Sequence, residues 1–439
     1  FIRAIEVNPK YFSSYNNLGH CYTLLNDREK SFEAFSKALN LDPNSTAVKN
    51  NLANYFIDTG DYKKALSYYF QALKPDPNNY KLLFNQIKLY KPTYAVLTCS
   101  DSAEKLRQLC KKNRIKTKVL CGPKELVYVS SHKDCNCIMS AIVGSAALEP
   151  TFHAIKKGKK IFLANKESLI MSGDLLIKNA KKSGSIIIPV DSEHNSILQI
   201  LLASGLDYKI GDATYYKEKI DEILLTASGG PFLNLPLSKL KNVSPHEAVK
   251  HPNWVMGKKI SVDSATMMNK GLEVIEANIL FGINPKNIKV LVHPQSIIHA
   301  MVVFKDGSVI SHMSNHDMKI PISFALSYPD RFDLNIEKLN LIKQKNLSFT
   351  NVNTKQFKCL DLAYEAIKIG LNAPTILNAA NEISVTNFLK NKIKFTDIPV
   401  IIEKALESMT IRKSKTLDEI IKDDMNTREF ATELIRRKI

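Results

Sequence analysis

Along residues 1–80, apolar and small residues recur in a helical rhythm, and the rhythm itself repeats. Asn8-Pro9, Asp42-Pro43 and Asp76-Pro77 stand 34 positions apart. At the same offset Leu18 matches Leu52, Gly19 matches Ala53, Tyr22 matches Phe56, Phe35 matches Tyr69 and Ala38 matches Ala72. Small residues where paired helices approach, with aromatics filling between them, predict an α-helical solenoid of two full repeats and the tail of another. After about residue 80 the pattern changes. A helix over Leu82–Tyr90 is followed by a strand at 94–97, a helix over 102–112 and a strand at 117–120. Further strands are expected at 137–143, 160–164 and 185–190, with a helix at 148–157 between the first two. Such alternation with short connections predicts a parallel α/β sheet. From about 219 to 310 strands (222–226, 288–292, 300–304, 308–313) mix with a helix, as in an α+β domain. From Cys359 onward the pattern predicts a terminal helical bundle.

The bulk composition narrows the function classes. At 439 residues the chain has room for two to four domains, and 44% hydrophobic residues mark it as globular. The formal net charge is +18, but the lysines are scattered. The one dense run, Lys156-Lys157-Gly158-Lys159-Lys160, has no interleaved aromatics, so no nucleic-acid partner is expected. The positive field suits an anionic substrate instead. Seven cysteines without metal-site spacing or disulfide density point to a reducing cytoplasm. No apolar stretch is long enough to span a bilayer, so no membrane association is expected. The chain opens on Phe1, so a targeting segment is neither seen nor excluded.

The chemistry gathers in five short stretches. An apolar run, Ile186-Ile187-Ile188, leads into Asp191 and Glu193, which two-residue spacing would place on one face of an extended strand end. Glu273, from a helix, adds a third oxygen donor; three carboxylates with open positions suit Mg²⁺ or Mn²⁺. The plainer reading of Asp-x-Glu alone is a strand end with solvated acids. In Asp263–Glu273 the capping residues predict a helix starting near Asp263 or Ser264, with Thr266, Asn269, Lys270 and Glu273 on one face and an N-terminus suited to phosphate. Ser228-Gly229-Gly230 at a strand end offers a hydroxyl and close amides, or an ordinary turn. Asn165-Lys166-Glu167 ends another strand at the edge where open α/β sheets bind ligands, or simply caps a helix. The segment 251–259 holds the only tryptophan, Trp254, between breakers and basic residues, and reads as a lid or as core under a loop. His293-Pro294-Gln295-Ser296 and His299 read as structural, or as supports behind the ligating residues, rather than as ligands.

Taken together and in order, the strings LANKES, PVDSEHN, SGGPF, HPNW, MGKKI, VDSATMMNKGLE, HPQSIIH and LNAANEI resemble the 1-deoxy-D-xylulose 5-phosphate reductoisomerase family from about residue 82 to 439. The first eighty residues resemble tetratricopeptide repeats. The resemblance implies conversion of 1-deoxy-D-xylulose 5-phosphate to 2-C-methyl-D-erythritol 4-phosphate with NADPH and Mg²⁺ or Mn²⁺, Co²⁺ being a further option. It implies metal ligation by Asp191, Glu193 and Glu273, with Lys166 and Glu193 catalytic. Substrate contacts are implied for Ser192, Ser228, His251, Trp254, Ser264, Asn269 and Lys270, and nucleotide contacts for Gly144, Asn165, Lys166, Glu167, Met256 and Met318. The domains it implies are repeats over 1–80, a truncated Rossmann-like domain over 81–190, a catalytic domain over 191–345 with a flap at 248–260, and a helical domain over 346–439. A homodimer is expected, with a peptide or protein partner for the repeats.

One departure stands against this. The family opens with a strand and a GSTGSIG-type turn that cradles the cofactor's phosphates, and no such turn lies upstream of the sheet here. Its loss is expected to weaken NADPH binding and to leave the parallel sheet without inner strands. A joined gene product, or a natural fusion that has lost redox activity, would each give this arrangement. The alternative function is a repeat-based interaction module carrying an inactive enzyme remnant.

Overall fold

The computed structural model describes residues 1–43, 45–61, 64–65, 67–68, 79–254 and 256–437. Parts of the second repeat's latter half, with Tyr69, Ala72 and Asp76-Pro77 of the 34-residue match, lie outside the described residues. The chain divides into two units, Phe1–Val129 and Ser130–Ile439. The division falls inside the stretch 81–190 that the family resemblance assigns to one domain.

In the first unit, helices Phe12–Leu24, Arg28–Leu41 and Thr46–Asp58 pack as the 34-residue period requires. Gly19 is there because nothing larger fits: a Cβ would stand 2.6 Å from the Phe35 ring. Tyr15, Phe35, Ala38, Val48, Leu52 and Phe56 form the core of the pair-on-pair stack. The helix Tyr80–Tyr90 is shared, since Leu82 packs on Ala53 while Ile87 packs with Leu97, Leu106 and Val119. Two parallel strands, β1 (Tyr94–Leu97) and β2 (Lys118–Cys121), complete this unit with the helix Ser100–Lys112.

The second unit holds a three-stranded parallel sheet, β3 (Cys137–Ser140), β4 (Lys160–Leu163) and β5 (Ile187–Pro189), in the order β3-β4-β5. Strands β6 (Ile220–Ala227), β7 (Ile288–Val292), β8 (Ile298–Phe304), β9 (Val309–Met313) and β10 (Thr350–Asn351) make a mixed sheet ordered β10-β7-β6-β8-β9. The parallel strands thus fall into a pair and a triplet rather than one sheet. Helices Lys358–Ile369, Ala373–Leu389, Asp397–Ser408 and Leu417–Arg436 supply the expected helical C-terminal part.

Two helices of this unit carry most of its buried charge, Lys166–Ser183 and Met268–Phe281. They approach closely because Gly173 faces Ile279, where a Cβ would meet the isoleucine at 2.6 Å. Gly271 admits the helix Lys358–Ile369 in the same way, with Ala363 Cβ 2.6 Å from where its own would be. The sequence predicts one helix starting at Asp263 or Ser264; the structure corrects this. Asp263 and Ser264 end a separate helix, Lys258–Ala265, and the chain breaks at Met267, whose φ is 62°, before the next begins. Burial of Met267, Met268 and Ala265 in the core holds a turn that local propensity disfavours.

Gly271→Ala tests this packing. Alanine in a helix ordinarily gains up to about 1 kcal/mol over glycine, whereas overpacking costs about 1–3 kcal/mol. With a rigid Ala363 methyl in the way, a net loss is expected as a lower urea midpoint; a stabilised variant would contradict the close approach.

Candidate functional site

Short strand-to-helix corners bring the charged residues together. β4 runs out at Leu163, and Asn165 caps the helix Lys166–Ser183 by accepting from the Ser168 amide. That turns Lys166 inward. β5 ends at Pro189, and Asp191 caps the helix Ser192–Ala203 while Glu193 sits in its first turn. The two carboxylates therefore converge through a helix cap, not along an extended strand as their spacing suggests. The helix Met268–Phe281 contributes Asn269, Lys270 and Glu273 from its opening turns.

Oxygens of Asp191, Glu193 and Glu273 lie within 4.8 Å of one another. Two ammonium groups stitch them. Lys166 Nζ is 2.5 Å from Asp191 and 3.0 Å from Glu273, and also donates to Asn269 Oδ1 at 3.2 Å. Lys270 Nζ is 2.7 Å from Glu193 and pairs closely with Glu273. Asn269 donates to Glu273 at 2.5 Å and Ser192 Oγ to Glu193 at 2.5 Å. The Glu273 side chain is 1% exposed and that of Lys270 5%. Burial opposes both lysine charges, yet the facing carboxylates raise Lys166 well above its ordinary value and Lys270 above its own. Burial likewise opposes the Asp191 charge, but Lys166 and then His194 hold that carboxyl well below its usual range. Glu273, the most deeply buried of the three, is pushed up by burial and then by Glu193.

These groups floor a cavity of about 280 Å³. Ser192, Ser228, His251, Ser264 and Trp254 line it, with Met256 and Met318. Ser228 Oγ and His251 Nε2 are 2.9 Å apart. Trp254 stands edge-to-face on His316 with 5.3 Å between centroids. Of the remaining predicted residues, Gly144, Asn165 and Glu167 do not line this cavity. They form an adjoining corner, in which Asn165 Nδ2 donates to the Gly144 carbonyl at 3.1 Å and to Glu167 at 2.9 Å. Lys259 ties that corner to the helix Lys258–Ala265, with 2.9 Å to Glu167 and 2.8 Å to Asp263.

Sequence reasoning missed several participants. His194 is fully buried behind the carboxylates: Nδ1 lies 3.0 Å from Asp191 and 3.3 Å from Glu276, and Nε2 donates to the Glu273 carbonyl at 2.9 Å. Burial pushes Glu276 up to about 8; against burial, Glu276 and Asp191 raise His194 to about 9. The signal was available in part, since His194 is three residues from Asp191 and Glu276 three from Glu273, each on its partner's helical face. His299 and Ser296, read from the sequence as structural or supporting, also line the cavity.

The chain also matches known proteins. The 1-deoxy-D-xylulose 5-phosphate reductoisomerase family matches residues 65–173, the C-terminal domain of that enzyme 187–281, and a further DXP reductoisomerase C-terminal domain 313–430. Tetratricopeptide repeats match 12–45 and 47–79. The chain is 45% identical over 361 residues to 1-deoxy-D-xylulose 5-phosphate reductoisomerase of Vesicomyosocius okutanii subsp. Calyptogena okutanii (strain HA), covering 82% of this chain and 90% of that protein. It is 45% identical over 355 residues to the same enzyme of Clostridium perfringens (strain 13 / Type A), covering 81% and 90%. A crystal structure of DOX-P reductoisomerase in complex with NADPH, fosmidomycin and magnesium matches at 40% identity with a TM-score of 0.78, over 82% of this chain and 90% of that one. The Zymomonas mobilis enzyme in complex with NADPH matches at 38% identity and 0.73, over 81% and 89%. With tetratricopeptide repeats ahead of it, this chain belongs to the 1-deoxy-D-xylulose 5-phosphate reductoisomerase family.

Proposed function

We propose that the chain converts 1-deoxy-D-xylulose 5-phosphate to 2-C-methyl-D-erythritol 4-phosphate, a step of non-mevalonate isoprenoid synthesis, using a divalent metal and NADPH, and that the cofactor is its weak point. The observation that carries the reading is the largely buried Asp191–Glu193–Glu273 cluster beneath a cavity walled by hydroxyls, an amide and two lysines.

The donor set fits a hard cation. Three carboxylates converge, and two ammonium groups now supply the positive charge that such an ion would bring. Asp191, Glu193 and Glu273 would hold Mg²⁺, Mn²⁺ or Co²⁺, which when bound polarises a substrate carbonyl and its neighbouring hydroxyl. The residues do the rest. Ser228, His251, Ser264, Asn269 and Lys270 bind the phosphate end, and Ser192 orients Glu193. Lys166, an ammonium whose contacts are all acceptors, donates toward negative charge on a substrate oxygen. Trp254 and Met256 cover the cavity and exclude water.

For the dinucleotide the residues fit only at one end. Met256, Met318 and the Gly144–Asn165–Glu167 corner suit the nicotinamide side. The sequence has no glycine-rich turn to take the phosphates. That absence favours the second reading, an interaction module with an inactive remnant. We also read the repeats as a site for a peptide or protein partner, the chain as a cytoplasmic homodimer, and the domains as bounded near 80, 190 and 345.

Two outcomes are expected. Asp191→Asn and Glu193→Gln each lower Mg²⁺ affinity and turnover by at least about a hundredfold, measured by calorimetry and product formation; retained metal binding would remove the cluster from the mechanism. NADPH titrated by fluorescence binds at least about a hundredfold more weakly than to a family member carrying the turn. Equal affinity would show that the phosphates are held some other way, while absent metal-dependent substrate binding would favour the remnant.

A further inference from the structure

The segment opening at His251 is wound around that residue's own ring. Nδ1 accepts from the backbone amides of Asn253 at 3.2 Å and Trp254 at 2.9 Å. A nitrogen that accepts carries no hydrogen, so the neutral ring has its proton on Nε2. Burial and then the neighbouring His316 hold the ring neutral, with its pKa lowered to about 4.

This tautomer has a consequence 2.9 Å away, at Ser228 Oγ. Nε2–H donates to that oxygen, and the Gly230 amide donates to it as well, at 3.1 Å. With both lone pairs engaged, the serine's own hydrogen is left over, and Ser228 borders the cavity. The hydroxyl is thereby set as a donor to an anion.

What holds the wound segment is Asn253. Its Nδ2 donates to the Pro294 carbonyl at 2.7 Å and to Ser296 Oγ at 3.0 Å. Ser296 is itself pinned in the left-handed region at φ 52°, with its hydroxyl on the His293 carbonyl at 3.3 Å, so it presents a fixed acceptor. The next residue, Trp254, rests on His316.

We infer that Asn253 is a positioning residue: it latches the segment 251–254 onto the 294–296 loop, and through the His251 tautomer it aims the Ser228 hydroxyl at the substrate's phosphate. The inference rests on the phosphosugar reading of the cavity. Closure and anion recognition are then one event, because unlatching frees the His251 ring and Ser228 loses its orientation.

Trp254 is the only tryptophan, so intrinsic fluorescence reports this segment alone. The probe is fosmidomycin, the ligand in a related structure, with Mg²⁺. Asn253→Ala is expected to raise the dissociation rate about tenfold, with association and the thermal midpoint unchanged. Ser228→Ala alone weakens binding about tenfold. If the relay exists, the double variant loses about ten- to thirtyfold, well short of the product. A hundredfold loss in the double variant, or an unaltered dissociation rate in Asn253→Ala, would overturn the relay while leaving the site reading intact. A wild-type chain that does not bind the probe would overturn the site reading and this inference with it.

Discussion

Three carboxylates within 4.8 Å of one another, one buried and two only partly exposed, repel strongly unless cations are built in beside them. The rest of the second unit is arranged around that constraint. Lys166 and Lys270 reach the cluster from opposite corners, and each bridges two carboxylates rather than one. Neither lysine is free to leave: the first sits just inside a capped helix, the second in the opening turn of another. The same pair of ammonium groups keeps the pocket attractive to an anion and tolerable without a metal. The proposed binding of both a divalent cation and a phosphosugar needs that double compensation.

Backbone packing makes such proximity sterically possible. Gly173 and Gly271 let three helices close to distances at which any side chain would intrude. His194 straps the assembly from behind, with one nitrogen on the Asp191 side chain and the other on the Glu273 backbone. The two principal carboxylates, on different elements, are thus indexed to each other by a single buried ring. The repeat unit obeys different physics. Its stability comes from short-range stacking, as at Gly19 against Phe35, and it involves no charge cluster among the described residues.

How much of this was legible depended on range. The repeat period and the strand–helix alternation are local patterns, and strands such as Tyr94–Leu97 and Ile288–Val292 fall where periodicity places them. Asp191 and Glu193 were found through the wrong geometry: a strand and a helix cap both bring residues two apart toward one site, and sequence spacing does not separate them. The break at Met267 was hidden because a left-handed methionine is a tertiary product, enforced by its burial. The His194–Glu276 pair, 82 positions apart, and the Asn253–Pro294 latch are contacts that no local pattern encodes. The divided parallel sheet was foreseeable in outline from the absent glycine turn, but not the sharing of the helix Tyr80–Tyr90 between repeats and strands.

Built-in cations make the carboxylate cluster possible, and on the proposed reading a metal takes their part. Thermal unfolding of Lys270→Met with and without Mg²⁺ tests this most directly. Without metal the variant should lose about 3–5 kcal/mol, because the buried Glu273 and the partly buried Glu193 are left with too little positive charge, and saturating Mg²⁺ should restore most of that loss. A variant as stable as the wild type without metal, or one indifferent to Mg²⁺, would contradict the proposed role of the two lysines.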